Sequence, residues 1–121
     1  MAGMAKKKIL IIDDTLETRK MTSLQLQEAG YDVLTAVDGV NALKVLKDNS
    51  VDLVITDFRM PALGGQDWLS LLNHHYPKTK KIVISGYPFA KELVPAGIPF
   101  LVKPIKWEEE ALPLIAQKLA E

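Results

Sequence analysis

The sequence predicts an α/β fold in which five parallel strands form one sheet with helices wound on both faces. Three observations lead there. Five short apolar runs, rich in β-branched or aromatic residues, alternate with longer stretches of helical length and composition. The first run, Ile9-Leu10-Ile11-Ile12, is four consecutive branched aliphatics, as in a strand buried on both faces. At 121 residues, the chain has enough material for one core but not for two.

Each element has its own grounds. After the first strand, residues 15–29 are rich in Leu, Gln, Glu and Lys and stop at Gly30, a natural helix end. The apolar positions there (Leu16, Met21, Leu24, Leu26) are loosely spaced, so propensity rather than periodicity assigns the helix. The second strand is Val33–Ala36. Asp38 then caps a second helix, with Ala42, Leu43 and Leu46 on its inner face. Val51–Thr56 is the third strand, and a helix from about Gln66 to His75 turns Trp68, Leu69 and Leu72 inward before Pro77. The fourth strand is Ile82–Ile84. Pro88 and Pro95 then bracket only Phe89–Val94, and the residue before a proline is pushed out of helical conformation. A fourth helix should therefore be short or irregular. Phe100–Val102 is the fifth strand. The last helix carries Leu112, Ile115, Ala116 and Leu119, with Pro113 imposing a late start or a kink. Right-handed crossovers between five such strands suit the flavodoxin-like order 2-1-3-4-5, a three-layer sandwich.

Composition narrows the function. Hydrophobic residues make up 48% and charged residues 25%, with 15 Lys+Arg against 15 Asp+Glu. Zero net charge argues against direct binding to nucleic acid or to an anionic membrane. The absence of cysteine excludes disulfides and thiolate metal sites and fits a cytoplasmic location. No apolar run approaches the length of a membrane span or a secretion signal. Residues 1–121 read as a single domain, with 1–5 a disordered lead-in and Lys6-Lys7-Lys8 a solvated approach to the first strand.

In an open parallel sheet, ligands bind beyond the carboxyl ends of the strands where strand order reverses, here between strands 1 and 3. Asp13 and Asp14 end strand 1 and Asp57 ends strand 3, on neighbouring strands about 5 Å apart. Like charges at a poorly solvated strand end need compensation. A hard divalent cation such as Mg²⁺ suits such a cluster. Strand 4 ends in Ser85, and Lys103, about 10 Å from strand 3, can stretch its ammonium towards Asp57. Three carboxylates, an ammonium, a hydroxyl and a cation make a site for a phosphoryl group, with an acidic oxygen attacking in line.

The residues that carry this chemistry, IIDD (11–14), DFRMP (57–61) followed by Gly65, ISG (84–86) and KP (103–104), resemble the receiver domain of two-component response regulators, in family order and over nearly the whole chain. The resemblance implies that Asp57 is the phosphoacceptor, taking its phosphoryl group from a sensor histidine kinase or phosphotransfer protein. It implies that Asp14 and Asp57 bind Mg²⁺ directly, Asp13 through water, and Arg59 through its backbone carbonyl. Ser85 would be the switch hydroxyl and Lys103 the partner of the phosphoryl oxygens. A cis bond before Pro104 would shape the loop presenting Lys103. The domain would assist its own phosphorylation and dephosphorylation without turning over free substrates. Its output would be a downstream protein effector or a covalently linked output domain. Two departures stand out. The fourth helix is curtailed, and Phe100 holds the strand-5 position that is often a switching tyrosine. Arg59 adds a long cation at the rim of the pocket.

An alternative is a receiver-like interaction module independent of phosphorylation, favoured by the curtailed helix and Phe100 but opposed by the full acidic set. A phosphohydrolase would need a positioned acid–base group that the sequence does not offer. A nucleotide or flavin site would want glycines where strand 1 ends in acids. His74 and His75 read as a solvated helix end, Trp68 and Trp107 as packing residues, and Gly64-Gly65 as a turn after Pro61.

Overall fold

A computed structural model of the protein describes residues 6–59 and 65–121. The expected lead-in over residues 1–5 and the expected turn from Pro61 to Gly64 lie outside the described residues, whereas Gly65, also expected in that turn, begins a helix. In chain order the elements are β1 (Lys8–Ile12), α1 (Leu16–Glu28), β2 (Asp32–Ala36), α2 (Gly39–Asp48), β3 (Leu53–Asp57), α3 (Gly65–His75) and β4 (Lys80–Ser85). A 3-10 helix (Pro88–Leu93) and β5 (Phe100–Val102) follow. A π-helical turn (Trp107–Ala111) then runs into α4 (Leu112–Ala120). All strands are parallel, in the order β2-β1-β3-β4-β5.

The alternation of side chains along a strand explains the two-sided core. In β1, Leu10 and Ile12 face one way and, with Val54 and Val83, meet Ala42 and Leu46 of α2 and Trp68, Leu69 and Leu72 of α3. Ile9 and Ile11 face the other way and, with Leu53, Ile55, Ile82 and Ile84, meet Leu26 of α1 and Ile115 of α4. Each such aliphatic chain contributes roughly 1.5–3 kcal/mol on full burial, so the central strands anchor both layers.

Helix ends follow local chemistry. Gly30, at φ 100°, ends α1: its N–H donates to the Gln27 carbonyl at 3.0 Å and that of Tyr31 to Leu26 at 3.1 Å. A side chain there would be strained, which is why glycine stops the helix. The Asp38 carboxylate accepts the Asn41 N–H at 2.8 Å and caps α2. Between Pro88 and Pro95 the chain forms only the 3-10 helix, the short element that the paired prolines dictate.

Several boundaries differ from the sequence reading. β3 begins at Leu53 rather than Val51, because Asp52 is tied to the start of β1: its N–H donates to the Lys8 carbonyl at 2.9 Å and its carboxylate accepts the Lys8 N–H at 2.8 Å. β4 reaches back to Lys80, through a lysine, Lys81, that is buried. The late start forced by Pro113 takes the form of the π turn, in which the Lys106 carbonyl accepts N–H groups from both Glu110 and Ala111. Ala116, expected on the inner stripe, is exposed. The buried arc of α4 centres on Ile115, with Leu112, Leu114 and Leu119 packed beside it.

Trp68 is fully buried and its indole N–H donates to the Thr56 hydroxyl at 2.9 Å, next to the end of β3. Trp68→Phe removes that donor and part of the ring volume. Urea unfolding is expected to report a loss of about 1–3 kcal/mol. A loss below about 0.5 kcal/mol would mean that the indole bond adds nothing to stability.

Candidate functional site

β1 and β3 are direct neighbours in register, Ile12 beside Thr56, so the residues leaving their carboxyl ends converge. One carboxylate oxygen from each of Asp13, Asp14 and Asp57 lies within 4.8 Å of the others. Asp13 is buried, Asp57 half-buried and Asp14 exposed. Lys103 follows β5 and is fixed by its backbone, whose N–H donates to the Ser85 carbonyl at 2.8 Å. The Lys103–Pro104 peptide is cis. From there the side chain crosses the end of β4, and its ammonium donates to Asp57 Oδ2 at 2.8 Å and Asp13 Oδ2 at 3.2 Å.

This ammonium relieves the repulsion within the acidic cluster. Burial works against the Lys103 charge, but the hydrogen bond and charge of Asp57, and then those of Asp13, outweigh it and raise its pKa above the ordinary lysine value. Lys103 is thus a cation throughout the neutral range. Its stabilisation is fully present below the unfolded lysine pKa of 10.5 and is lost only as pH rises through the higher folded value.

The remaining contacts fix the loops. The second Asp13 oxygen accepts the Thr15 N–H at 2.8 Å, and the Arg19 guanidinium of α1 donates to the Asp13 carbonyl at 2.8 Å. Ser85 is buried and its hydroxyl accepts the Tyr87 N–H at 3.0 Å. The Arg59 N–H donates to Asp57 Oδ1 at 3.3 Å. The Arg59 guanidinium reaches the loop after β4, donating to the Tyr87 hydroxyl at 2.8 Å and lying 5.1 Å from the ring centre. Asp14, Asp57, Arg59, Ser85, Gly86, Tyr87 and Lys103 line a cleft of about 640 Å³.

The structure therefore brings Asp13, Asp14, Asp57, Ser85 and Lys103 to one edge. Arg59 lies at the rim. Phe100 stands apart, paired with Val83 and packed half-buried against the core layer of α2 and α3. Pro104 lines a neighbouring hollow with Met21 and Trp107. His74 and His75 are exposed, and Trp107 packs against the layer of α1 and α4. Sequence reasoning missed Tyr87 and Arg19. The Asp-Asp-Thr run could have suggested the Asp13–Thr15 turn, since an Asp side chain commonly accepts the N–H two residues on. No local rule pairs Arg59 with a tyrosine 28 positions away.

The donor set fits a hard cation, which prefers several oxygens of this kind. Both Asp13 oxygens are already engaged, whereas Asp14 has only a 3.5 Å contact with the Thr15 hydroxyl. An oxygen-seeking ion would therefore find Asp14 the freest of the three.

Residues 9–112 match the family described as response regulator receiver domain. Protein PilG of Pseudomonas aeruginosa is 31% identical, the match covering 84% of this chain and 80% of PilG. The CAI-1 autoinducer sensor kinase/phosphatase CqsS of Vibrio cholerae is 35% identical over 68% of this chain, which spans only 12% of that relative's length. Among solved structures, the response regulator TrrA of Thermotoga maritima, in complex with Mg²⁺-BeF, superimposes with a TM-score of 0.79. The two are 29% identical, with 93% of this chain and 98% of that one covered.

Proposed function

The chain belongs to the response regulator receiver domain family, and from that premise we propose that it is a switch in which Asp57 accepts a phosphoryl group from a histidine kinase or phosphotransfer protein. A receiver is a signalling domain, so the outcome of the chemistry is a change of state rather than a released product. The observation that carries the reading is the Lys103 ammonium shared by Asp57 and Asp13, with three carboxylate oxygens within 4.8 Å beside an open cleft.

In the transfer, an Asp57 oxygen attacks phosphorus, the P–N bond of a phosphohistidine breaks, and the imidazole leaves with the electron pair. Lys103 stays close enough to follow the incoming phosphoryl oxygens. Asp14, Asp57 and the Arg59 carbonyl, with Asp13 assisting through water, would hold Mg²⁺, which would supply further positive charge when bound. The Ser85 hydroxyl, now an acceptor for its own loop, would turn to donate to the phosphoryl group. That turn loosens the Tyr87 N–H and biases the loop leading into the 3-10 helix. Phosphorylation adds roughly 1.5–2 negative charges, enough for a shift of a few kcal/mol. The affected face, built from the 3-10 helix, β5 and α4, exposes Phe89, Leu93 and Val102, an apolar surface suited to a protein effector. Phe100, half-buried beneath it, would be the aromatic that moves.

Adding Mg²⁺ and beryllofluoride is expected to shift the amides of residues 85–103. No shift in that segment would end the reading. No helix among the described residues is long and apolar enough to cross a membrane.

Arg59 bears on the lifetime of the phosphorylated state. Its guanidinium, bridged to Tyr87, lines one side of the cleft and would screen that side from attacking water. Arg59→Asn is expected to change the decay rate of phospho-Asp57 severalfold, in the direction of faster hydrolysis. An unchanged decay rate would remove Arg59 from the mechanism.

A further inference from the structure

At the opposite end of the sheet, where the strands begin, lies a second cleft of about 480 Å³. Lys78, Lys80, Lys81 and Lys118 line it, with Glu121 as the one acidic residue in its lining. Glu121 lies 3.6 Å from Lys80 and 3.4 Å from Lys118. Among the described residues, Lys78 and Lys81 have no carboxylate within ion-pair distance. In a chain of zero net charge this is a local segregation of positive charge.

Lys81 is the informative member. It is 6% exposed, and its ammonium donates to the carbonyls of Tyr76 at 2.6 Å and Thr79 at 2.8 Å. Those bonds fix the nitrogen and satisfy two of an ammonium's three donors without neutralising it. Burial pushes the Lys81 pKa down, as expected for a cation lacking a counter-charge.

We propose that this cleft binds a small phosphate-bearing anion through two or more of its phosphates. The volume lies within the roughly 300–1,000 Å³ of small-molecule sites. Lysines act on phosphate as point charges, and four of them around one hollow suit a chain of phosphates better than a single carboxylate. Among the described residues no aromatic side chain lines the cleft, so it offers no platform for a nucleobase. The site is distinct from the phosphorylation cleft: Lys81 and Ser85 sit near opposite ends of β4, about 13 Å apart. The proposal does not depend on the switch.

Titrating sodium tripolyphosphate into the full chain, in magnesium-free buffer at constant ionic strength, tests it by calorimetry and amide shifts. Saturable binding is expected, with shifts centred on residues 78–81, 96–98 and 118. Lys78→Gln and Lys118→Gln should each weaken it about tenfold. Glu121→Gln should strengthen it, and Asp57→Ala should leave it unchanged. Lys78 is exposed and Lys118 half-buried, so the result does not rest on the buried Lys81. ATP should bind no more than about threefold tighter than tripolyphosphate, and a tenfold preference for ATP would overturn recognition by phosphate alone. Unsaturable shifts spread over all lysines, undiminished affinity in the double lysine variant, or loss of binding in Asp57→Ala would each overturn the site.

Discussion

Asp57→Ala is expected to take up no phosphoryl group, from acetyl phosphate or from a phosphohistidine donor, with a loss of at least about 1,000-fold, as for the deletion of a nucleophile. The neighbouring acids are poor substitutes. Asp13 is buried with one oxygen on Lys103 and the other on the Thr15 N–H. Asp14 is exposed, has only a 3.5 Å contact with the Thr15 hydroxyl and, among the described residues, no ammonium within ion-pair distance. The variant should fold normally, because it deletes one of three crowded like charges while Lys103 keeps Asp13 as a partner. Unchanged urea unfolding with abolished labelling would therefore locate the defect in chemistry. The amide shifts on adding Mg²⁺ and beryllofluoride should also vanish. Labelling that persisted on Asp13 or Asp14 at more than a hundredth of the normal rate would show that the acceptor had been misassigned.

What could be read from the sequence follows from where the information is local. The two-faced burial of β1 is written in four consecutive aliphatics, the stop of α1 in Gly30, and the start of α2 in Asp38. The curtailed segment after β4 is written in Pro88 and Pro95. The meeting of Asp13, Asp14, Asp57 and Lys103 needed only strand order and the rule that sites form at carboxyl ends. α1 was harder, and the structure explains why: it buries only Thr22 and Leu26 and exposes Leu16, Met21 and Leu24, so its apolar residues follow no inward stripe. Lys81 hid the start of β4, since a buried lysine satisfied by carbonyls looks like loop in sequence. The Arg59–Tyr87 bridge and the Trp68–Thr56 bond join loops and layers, and no periodicity encodes either.

Lys103→Met is expected to have two effects of opposite sign. The ammonium holds Asp57 Oδ2 at 2.8 Å and Asp13 Oδ2 at 3.2 Å, so it competes with any added cation for the same oxygens. Without it, three carboxylates face one another with less compensation, and Mg²⁺ binding measured by calorimetry should tighten severalfold. Phosphoryl uptake should nevertheless fall about 100-fold or more, the usual penalty for losing a fixed donor to charge that develops in the transition state. Beryllofluoride should still bind, but the shifts that pass through Ser85 towards Phe100 should shrink, because the Lys103 backbone ties β5 to the Ser85 carbonyl and its side chain no longer follows the anion. A general loss of structure cannot mimic this pattern, since it would weaken cation binding and transfer together. Lys103→Arg is the finer test: it keeps the charge, but its planar head cannot reproduce a single ammonium shared by two carboxylates. Its transfer rate is expected to stay within a few-fold of Lys103→Met. Full activity in the arginine variant would reduce Lys103 to a diffuse positive charge and remove the shared ammonium as the centre of the mechanism.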